Sequence, residues 1–374
     1  MTSAPPRVES HRSICVLRLS SIGDVVQAIP AVNALRDTFP ESQITWVVGA
    51  REATIVRQLP GVEIVPLPKG AMAGASLLKE RLRHRSFGVL LHMQTSLRAN
   101  LTSLAVPARR RIGFDRARSR ELHGTVVTER IPANPNEHVL DGFLSFARML
   151  GANPRRLRRA PPITEAARAF ARHHLPEGER YLVINPCASD ARRDWTVEGY
   201  ADVAATAVET HGLRVVLTGA PTPRERAVTS ALQERVPGGA LNLVGMDDLT
   251  TLPAILERAE AVVSPDTGPA HLAAAMGTPV IGLYAVTNPR RSGPYGSLQW
   301  CVDRFPDAAV RYRGVEPQRL PWRTRINAPG AMNLIHPEDV RERLAAVLAA
   351  RPHGSVSPST GGEAPPATVL GLPG

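Results

Sequence analysis

Three cysteines in 374 residues, Cys15, Cys187 and Cys301, are odd in number and far apart, which argues against a disulfide framework or a metal knuckle and suits a reducing compartment. No uninterrupted apolar run approaches the roughly 20 residues that span a bilayer, although 43% of the chain is apolar. The opening stretch MTSAPPRVESHRSI holds no apolar core of signal-peptide length, so the expected location is the cytosol. Aromatic residues make up only 4%, and no basic run alternates with stacking rings as a single-strand nucleic-acid platform requires. Acidic charge is scarce in one half alone. Residues 1–160 hold 24 Lys+Arg against 12 Asp+Glu, and residues 161–374 hold 21 against 22.

The N-terminal half therefore carries the whole surplus of the +11 net charge. Such a field attracts an anionic partner: a phosphorylated lipid, a nucleic acid or an anionic membrane face. An arginine-rich solvated surface would give the same count.

The length exceeds what one hydrophobic core usually organises, so two domains of similar size are expected. Short β-branched runs alternate with longer helical stretches: ICVLRL (14–19), ITWVV (44–48), GVLLHM (88–93), YLVIN (181–185), RVVLTG (214–219), AVVSP (261–265) and PVIGLY (279–284). That alternation reads as βαβ units and parallel sheets. A Pro-flanked basic stretch leading into an amphipathic helix puts the interdomain linker near residues 154–178. HPEDVRERLAAVLAA (336–350) has Pro337 at a helix start and acidic residues in its first turn, so it reads as a helix. Beyond Arg351 the Gly, Pro, Ser and Thr content predicts a disordered tail over 351–374.

Chemistry concentrates where strands end. The first strand runs into LSSIGDVVQAIPA (19–31) rather than G-x-G-x-x-G, which disfavours a dinucleotide oxidoreductase. Ser20, Ser21 and Gly23 make a tight turn, and Asp24 falls where open α/β sheets bind ligands. A carboxylate there suits general-base work, and equally suits capping the helix. AVVSP is followed by DTGPAHLAAAMGTPVIGLY (266–284), where the backbone amides of Thr267 and Gly268 at a helix start form an anion site. Asp266 and His271 flank this turn and can bond sugar or ribose hydroxyls, or phosphate if His271 is protonated; His271 is otherwise a structural group on a helix face. After YLVIN, the loop PCASDARRDW carries Ser189, Arg192 and Arg193, whose guanidinium groups can clamp a diphosphate. Trp195, Tyr200 and Val203 follow at helical spacing and are assigned to packing.

S-S-x-G-D after the first strand, an Arg/Lys-x-W loop midway and D-T-G-x-x-H-L-A-A-A later together resemble glycosyltransferase family 9, the ADP-heptose:lipopolysaccharide heptosyltransferases, and most of all their type I members. The likeness extends over roughly residues 12–350 and includes GLYAVTNPRRSGPYG (282–296). It implies a GT-B architecture of the α/β class, with two Rossmann-like domains facing across a cleft. Residues 1–160 would bind the acceptor and 161–335 the nucleotide sugar, and the helix 336–350 would cross back to the N-terminal domain. The implied reaction is inverting transfer of a heptose from ADP-heptose to an acidic inner-core acceptor of the Kdo–lipid A type, at the cytoplasmic face of the inner membrane, with no metal or cofactor.

By the same likeness Asp24 is the catalytic base, and Arg193 is the phosphate-binding and catalytic cation. Ser189, Asp266, Thr267, Gly268 and His271 join Arg193 around the donor. The family's ribose-binding acid has only Glu225, in GAPTPRER (219–226), as its slightly displaced counterpart. Ser21, Gly23, Lys69 and Arg120 are expected at the acceptor. Lys69 stands alone in VPLPKG (65–70), where related enzymes carry a basic cluster; Lys79, Arg81, Arg83 and Arg85 are candidates to replace it, nearer the membrane. Two other readings remain at this stage: a GT-B enzyme using another nucleotide sugar, or a UDP-sugar epimerase, and a basic nucleic-acid-binding protein. ADP-heptose tested against UDP-sugars separates the first, and salt-dependent DNA binding without ADP stabilisation would mark the second.

Overall fold

The computed structural model describes residues 12–350, so the expected disordered tail over 351–374 lies outside the described residues. Two six-stranded parallel sheets follow one another along the chain. The first contains β1 (Ser13–Leu17), β2 (Gln43–Gly49), β3 (Val62–Leu67), β4 (Phe87–His92), β5 (Ala108–Gly113) and β6 (Glu129–Arg130), in the order β3-β2-β1-β4-β5-β6. The second contains β7 (Tyr181–Ile184), β8 (Arg214–Leu217), β9 (Leu241–Asn242), β10 (Ala261–Pro265), β11 (Val280–Tyr284) and β12 (Val302–Asp303), in the order β12-β11-β10-β7-β8-β9. Numbered from its own first strand, each sheet has the 3-2-1-4-5-6 order of the doubly wound dinucleotide fold. All seven apolar runs of the sequence are strands. β1, β7, β10 and β11 are apolar almost throughout because parallel strands are covered on both faces.

Helix Ile22–Thr38, which follows β1, is buried nearly all round, at Val25, Val26, Ala28, Ile29, Ala31, Val32, Ala34 and Leu35. A helix so apolar must be enclosed. It packs on helix Val139–Met149 of its own half and on helix Gly268–Met276 of the other. Small residues permit the second contact. A Cβ on Gly23 would lie 2.5 Å from His271 Cδ2, and one on Gly268 would lie 2.7 Å from Ile22 Cγ2. The N-termini of two helices thus meet across the domain boundary, and the largest apolar cluster draws side chains from both halves.

The helix expected at 336–350 forms as Pro337–Ala350, but it does not cross back to the N-terminal domain. Val340, Leu344, Val347 and Leu348 recur at i, i+4, i+7 and i+8 and bury against helix Val197–Glu209, within the core of the second sheet. The stripe is wide enough to saturate that contact. Trp195, Tyr200 and Val203 belong to the same core, with Trp195 Nε1 donating to Ile335 O at 3.0 Å. Among the described residues no helix is long and apolar enough to cross a membrane.

Candidate active site

A cavity of about 1240 Å³ opens between the carboxyl ends of the two sheets. Ser21, Gly23, Asp24, Ser189, Arg193, Glu225, Asp266, Thr267, Gly268 and His271 all line it. Lys69 and Arg120 do not. Lys69 is exposed after β3, and Arg120 is exposed on the loop between β5 and β6, beside Arg291 and Arg323. Arg192 does not line the cavity and pairs with Asp190. Of the outer cluster, Arg85 is ion-paired with Glu63, so its charge is already matched.

Asp24 caps the helix and also lines the cavity, so its placement is compatible with both purposes the sequence left open. Ser21 is the N-cap of helix Ile22–Thr38 and Asp24 its third residue, which puts the carboxylate back over the turn. Oδ2 accepts from Ser21 N at 3.2 Å and Ser21 Oγ at 2.9 Å, and it is the oxygen paired with Arg18. Among the described residues every hydrogen bond and ion pair of this carboxylate falls on Oδ2, which leaves Oδ1 to the cavity. Burial would raise the Asp24 pKa, but the Arg18 guanidinium and the Ser21 bonds outweigh it and hold the carboxyl below its ordinary value. Asp24 is ionised at neutral pH and able to accept a proton.

Across the seam, Thr267 caps helix Gly268–Met276, accepting from Ala270 N at 3.2 Å and sharing a 2.8 Å hydroxyl contact with Ser264. Pro269 has no amide hydrogen, and among the described residues the amides of Thr267 and Gly268 donate to no protein acceptor. They remain free for an anion at the positive end of the helix. Arg193 donates to Asp266 O at 2.5 Å and Ser189 Oγ at 3.0 Å, and it pairs with Asp266 Oδ2 at 3.2 Å. Its Nε is buried without a partner. The other Asp266 oxygen faces His271 Nε2 at 3.6 Å, while Gln27 Nε2 lies 3.4 Å from His271 Nδ1. Burial opposes ionisation of Asp266, yet His271 and Arg193 together bring its pKa below the usual value. Asp266 therefore organises Arg193 and His271 before it meets any ligand.

Glu225 is tied into the turn after β8, where Oε2 accepts from Ala220 N at 2.7 Å and Thr222 Oγ1 accepts from Glu225 N at 3.2 Å. Asp247, in the same part of the cavity, has no counterpart in the sequence reading. Burial pushes its carboxyl up to about 7, its own and Gly245 backbone groups oppose this, and neighbouring Asp248 adds to it. Its Oδ1 is buried without a partner. Arg18 and Arg325 are likewise functional candidates found only in three dimensions, whereas Arg291 lies in the run 282–296 that carries part of the family likeness but had no role assigned there. Arg18 closes the run ICVLR, but nothing in that run marks it as the partner of Asp24.

The close approach at Gly23 makes a prediction. Gly23→Ala puts a methyl into the His271 ring, which is 7% exposed and has no room to retreat. Displacing His271 breaks its pair with Asp266, so ADP should bind more weakly by about tenfold, the scale of one charge-assisted hydrogen bond. Unchanged ADP affinity by calorimetry would show that His271 yields freely.

The family model described as glycosyltransferase family 9 (heptosyltransferase) matches residues 76–310. The lipopolysaccharide core heptosyltransferase OpsX of Haemophilus influenzae is 35% identical over 90% of this chain and 97% of its own. Lipopolysaccharide heptosyltransferase 1 of Pseudomonas aeruginosa is 26% identical over 90% of this chain and 98% of its own. Among solved structures, a family 9 glycosyl transferase from Veillonella parvula has a TM-score of 0.74 at 19% identity, covering 91% of this chain and 98% of its own. The Escherichia coli heptosyltransferase WaaC with ADP has a TM-score of 0.70 at 21% identity, covering 90% and 99%. The two solved structures share the GT-B fold, and the family match together with the Haemophilus relative identifies the chain as a member of glycosyltransferase family 9, the heptosyltransferases.

Proposed function

We propose that this glycosyltransferase moves a heptose from ADP-heptose, with inversion, to an acidic inner-core acceptor of lipopolysaccharide at the cytoplasmic face of the inner membrane. The observation that carries this reading is the placement of the open Asp24 oxygen in one cavity with the Arg193, Thr267 and Gly268 donors of the opposite domain. The names of the Haemophilus and Pseudomonas relatives support the sugar and the pathway.

Asp24 takes the proton from an acceptor hydroxyl as that oxygen attacks the anomeric carbon. The bond from this carbon to the β-phosphate oxygen breaks on the far side, and ADP departs with the electron pair. Arg193 and the two free amides are fixed in advance toward the charge that develops there, which is the most effective form of electrostatic catalysis. In this mechanism the anomeric carbon is the electrophile, and the departing diphosphate is stabilised by the Arg193 guanidinium and the Thr267 and Gly268 amides.

The test is transfer to lipid acceptor from ADP-heptose set against UDP-sugars, with and without EDTA. Product with inverted anomeric configuration from ADP-heptose alone, undiminished by chelation, is the expected result. Turnover abolished by EDTA and restored by magnesium would overturn the metal-free mechanism, and preference for a UDP-sugar would overturn the donor.

A further inference from the structure

The cavity holds arginines that have no ion-pair partner among the described residues. Arg291, on the short helix Pro289–Ser292, and Arg325 both line the cavity. Neither makes a side-chain hydrogen bond or ion pair among the described residues, and the same is true of Arg120. Their meeting place is fixed by the segment that carries Arg325. Its backbone bridges Thr287 of the second domain, while Trp322 Nε1 donates to Glu137 O at 2.9 Å and Arg323 Nη2 to Ala117 O at 2.7 Å in the first. Arg323 is thereby held next to the loop that bears Arg120.

Arg291 lies in the fields of Arg325 and Arg120, and Arg323 in those of Arg120 and Arg291. Arg291 is destabilised by burial first, stabilised by Asp24 and Asp266, and destabilised again by Arg325 and Arg120. Those two carboxylates are already committed to Arg18 and Arg193. An arginine does not shed its proton to escape such a setting, so the charge calls for an anion. The donor diphosphate is met by Arg193 and the Thr267 turn. The unmatched charge sits instead beside Asp24, with one contributor from the N-terminal domain.

We infer a second anion subsite, built by Arg291 and Arg325 and extended by Arg323 and Arg120, that holds an oxyanion of the acceptor, a carboxylate or a phosphate monoester, while Asp24 addresses the neighbouring hydroxyl. The assignment of that oxyanion to the acceptor rests on the proposed function. The subsite also replaces Lys69 as the acceptor anchor: the recognising charge comes largely from the nucleotide-binding half, so an acceptor can be held only where both domains contribute.

Arg325 is exposed and its side chain makes no hydrogen bond or ion pair among the described residues, which makes Arg325→Gln the primary variant and Arg291→Gln the second. Inorganic phosphate is titrated by calorimetry into enzyme saturated with ADP, and the Michaelis constants for acceptor and donor are measured separately. Each variant should weaken phosphate by about tenfold or more, the loss of a charge-assisted bond, and raise the acceptor KM in proportion with ADP affinity unchanged. No phosphate binding to the ADP-saturated wild type overturns the subsite, as does equal binding by Arg325→Gln or a loss that falls on ADP instead. Phosphatase treatment of the acceptor, or reduction of its carboxyl group to an alcohol, should erase the difference between wild type and variant and so name the group; if neither erases it, the acceptor is not the ligand. The phosphate titration needs no turnover. A wild type that binds phosphate beside ADP but transfers no heptose would sink the proposed function and leave the subsite standing.

Discussion

Replacing Asp24 by Asn is expected to lower turnover by roughly 10²–10⁴, the range for loss of a positioned base, without changing ADP affinity. Asparagine keeps the size of the side chain and an oxygen that can accept from Ser21 N, so the helix start survives. What disappears is the ability of the open Oδ1 position to take a proton. If Asp24 only capped the helix, the variant would turn over within about tenfold of wild type and the cost would appear in melting temperature instead. The pH profile supplies a second readout. Burial works against the carboxylate, and Arg18 and Ser21 more than compensate, so the base form persists into acid and any limb set by Asp24 lies below the ordinary aspartate value of about 3.9. Removing the Arg18 charge would raise that pKa and move the limb toward neutrality.

Arg193→Ala should weaken ADP by roughly 1.5–3 kcal/mol, the worth of a charge-assisted bond, and lower kcat by a further factor of about 10² as transition-state charge goes unmet. The effect has two parts. The diphosphate loses a donor whose buried Nε has no other partner, and Asp266 loses its cation while remaining buried. His271 and Thr287 then remain as the partners of that carboxylate, with no guanidinium beside it. Arg193→Lys should recover part of the ADP affinity, because an ammonium supplies the charge but cannot reach Ser189 and Asp266 together as the planar fork does. ADP binding unaltered in the alanine variant by calorimetry would remove Arg193 from the donor site.

The portions of the fold visible in the sequence are those in which burial dictates composition. The seven apolar runs became strands that include the middle of each sheet. β3, β6, β9 and β12 lie at sheet edges, where composition is free; three of them are two residues long, and β3 carries Glu63 and Pro66. β5, with the sequence ARRRIG, hides its strand character behind arginines that bond outward to Glu129 and to loop carbonyls. The site divides along the same line. Asp24, Ser189, Arg193, Asp266, Thr267, Gly268 and His271 sit in turns built by adjacent residues, so their geometry is local and leaves a motif. Asp247 and Arg325 reach the cavity only through the packing of distant segments. Lys69 follows β3 at the outer edge of the sheet and does not line the cavity, which takes residues from the turns after β1 and β2 instead. The crossing expected of helix 336–350 failed because its wide apolar stripe is satisfied by its own domain.

The glycine-mediated contact between helices Ile22–Thr38 and Gly268–Met276 bears on how the chain melts. Two-domain proteins commonly unfold in separate steps, each half keeping its own core. Here Val26, Ile29, Ala270 and Ala273 belong to one continuous apolar cluster, so unfolding either half would expose to water a face that the other half still needs covered. Exposed apolar surface costs about 25 cal/mol per Å², a penalty that couples the halves. Heat should therefore act on residues 12–350 as a single cooperative unit, and the boundary between the two sheets is not a boundary of stability.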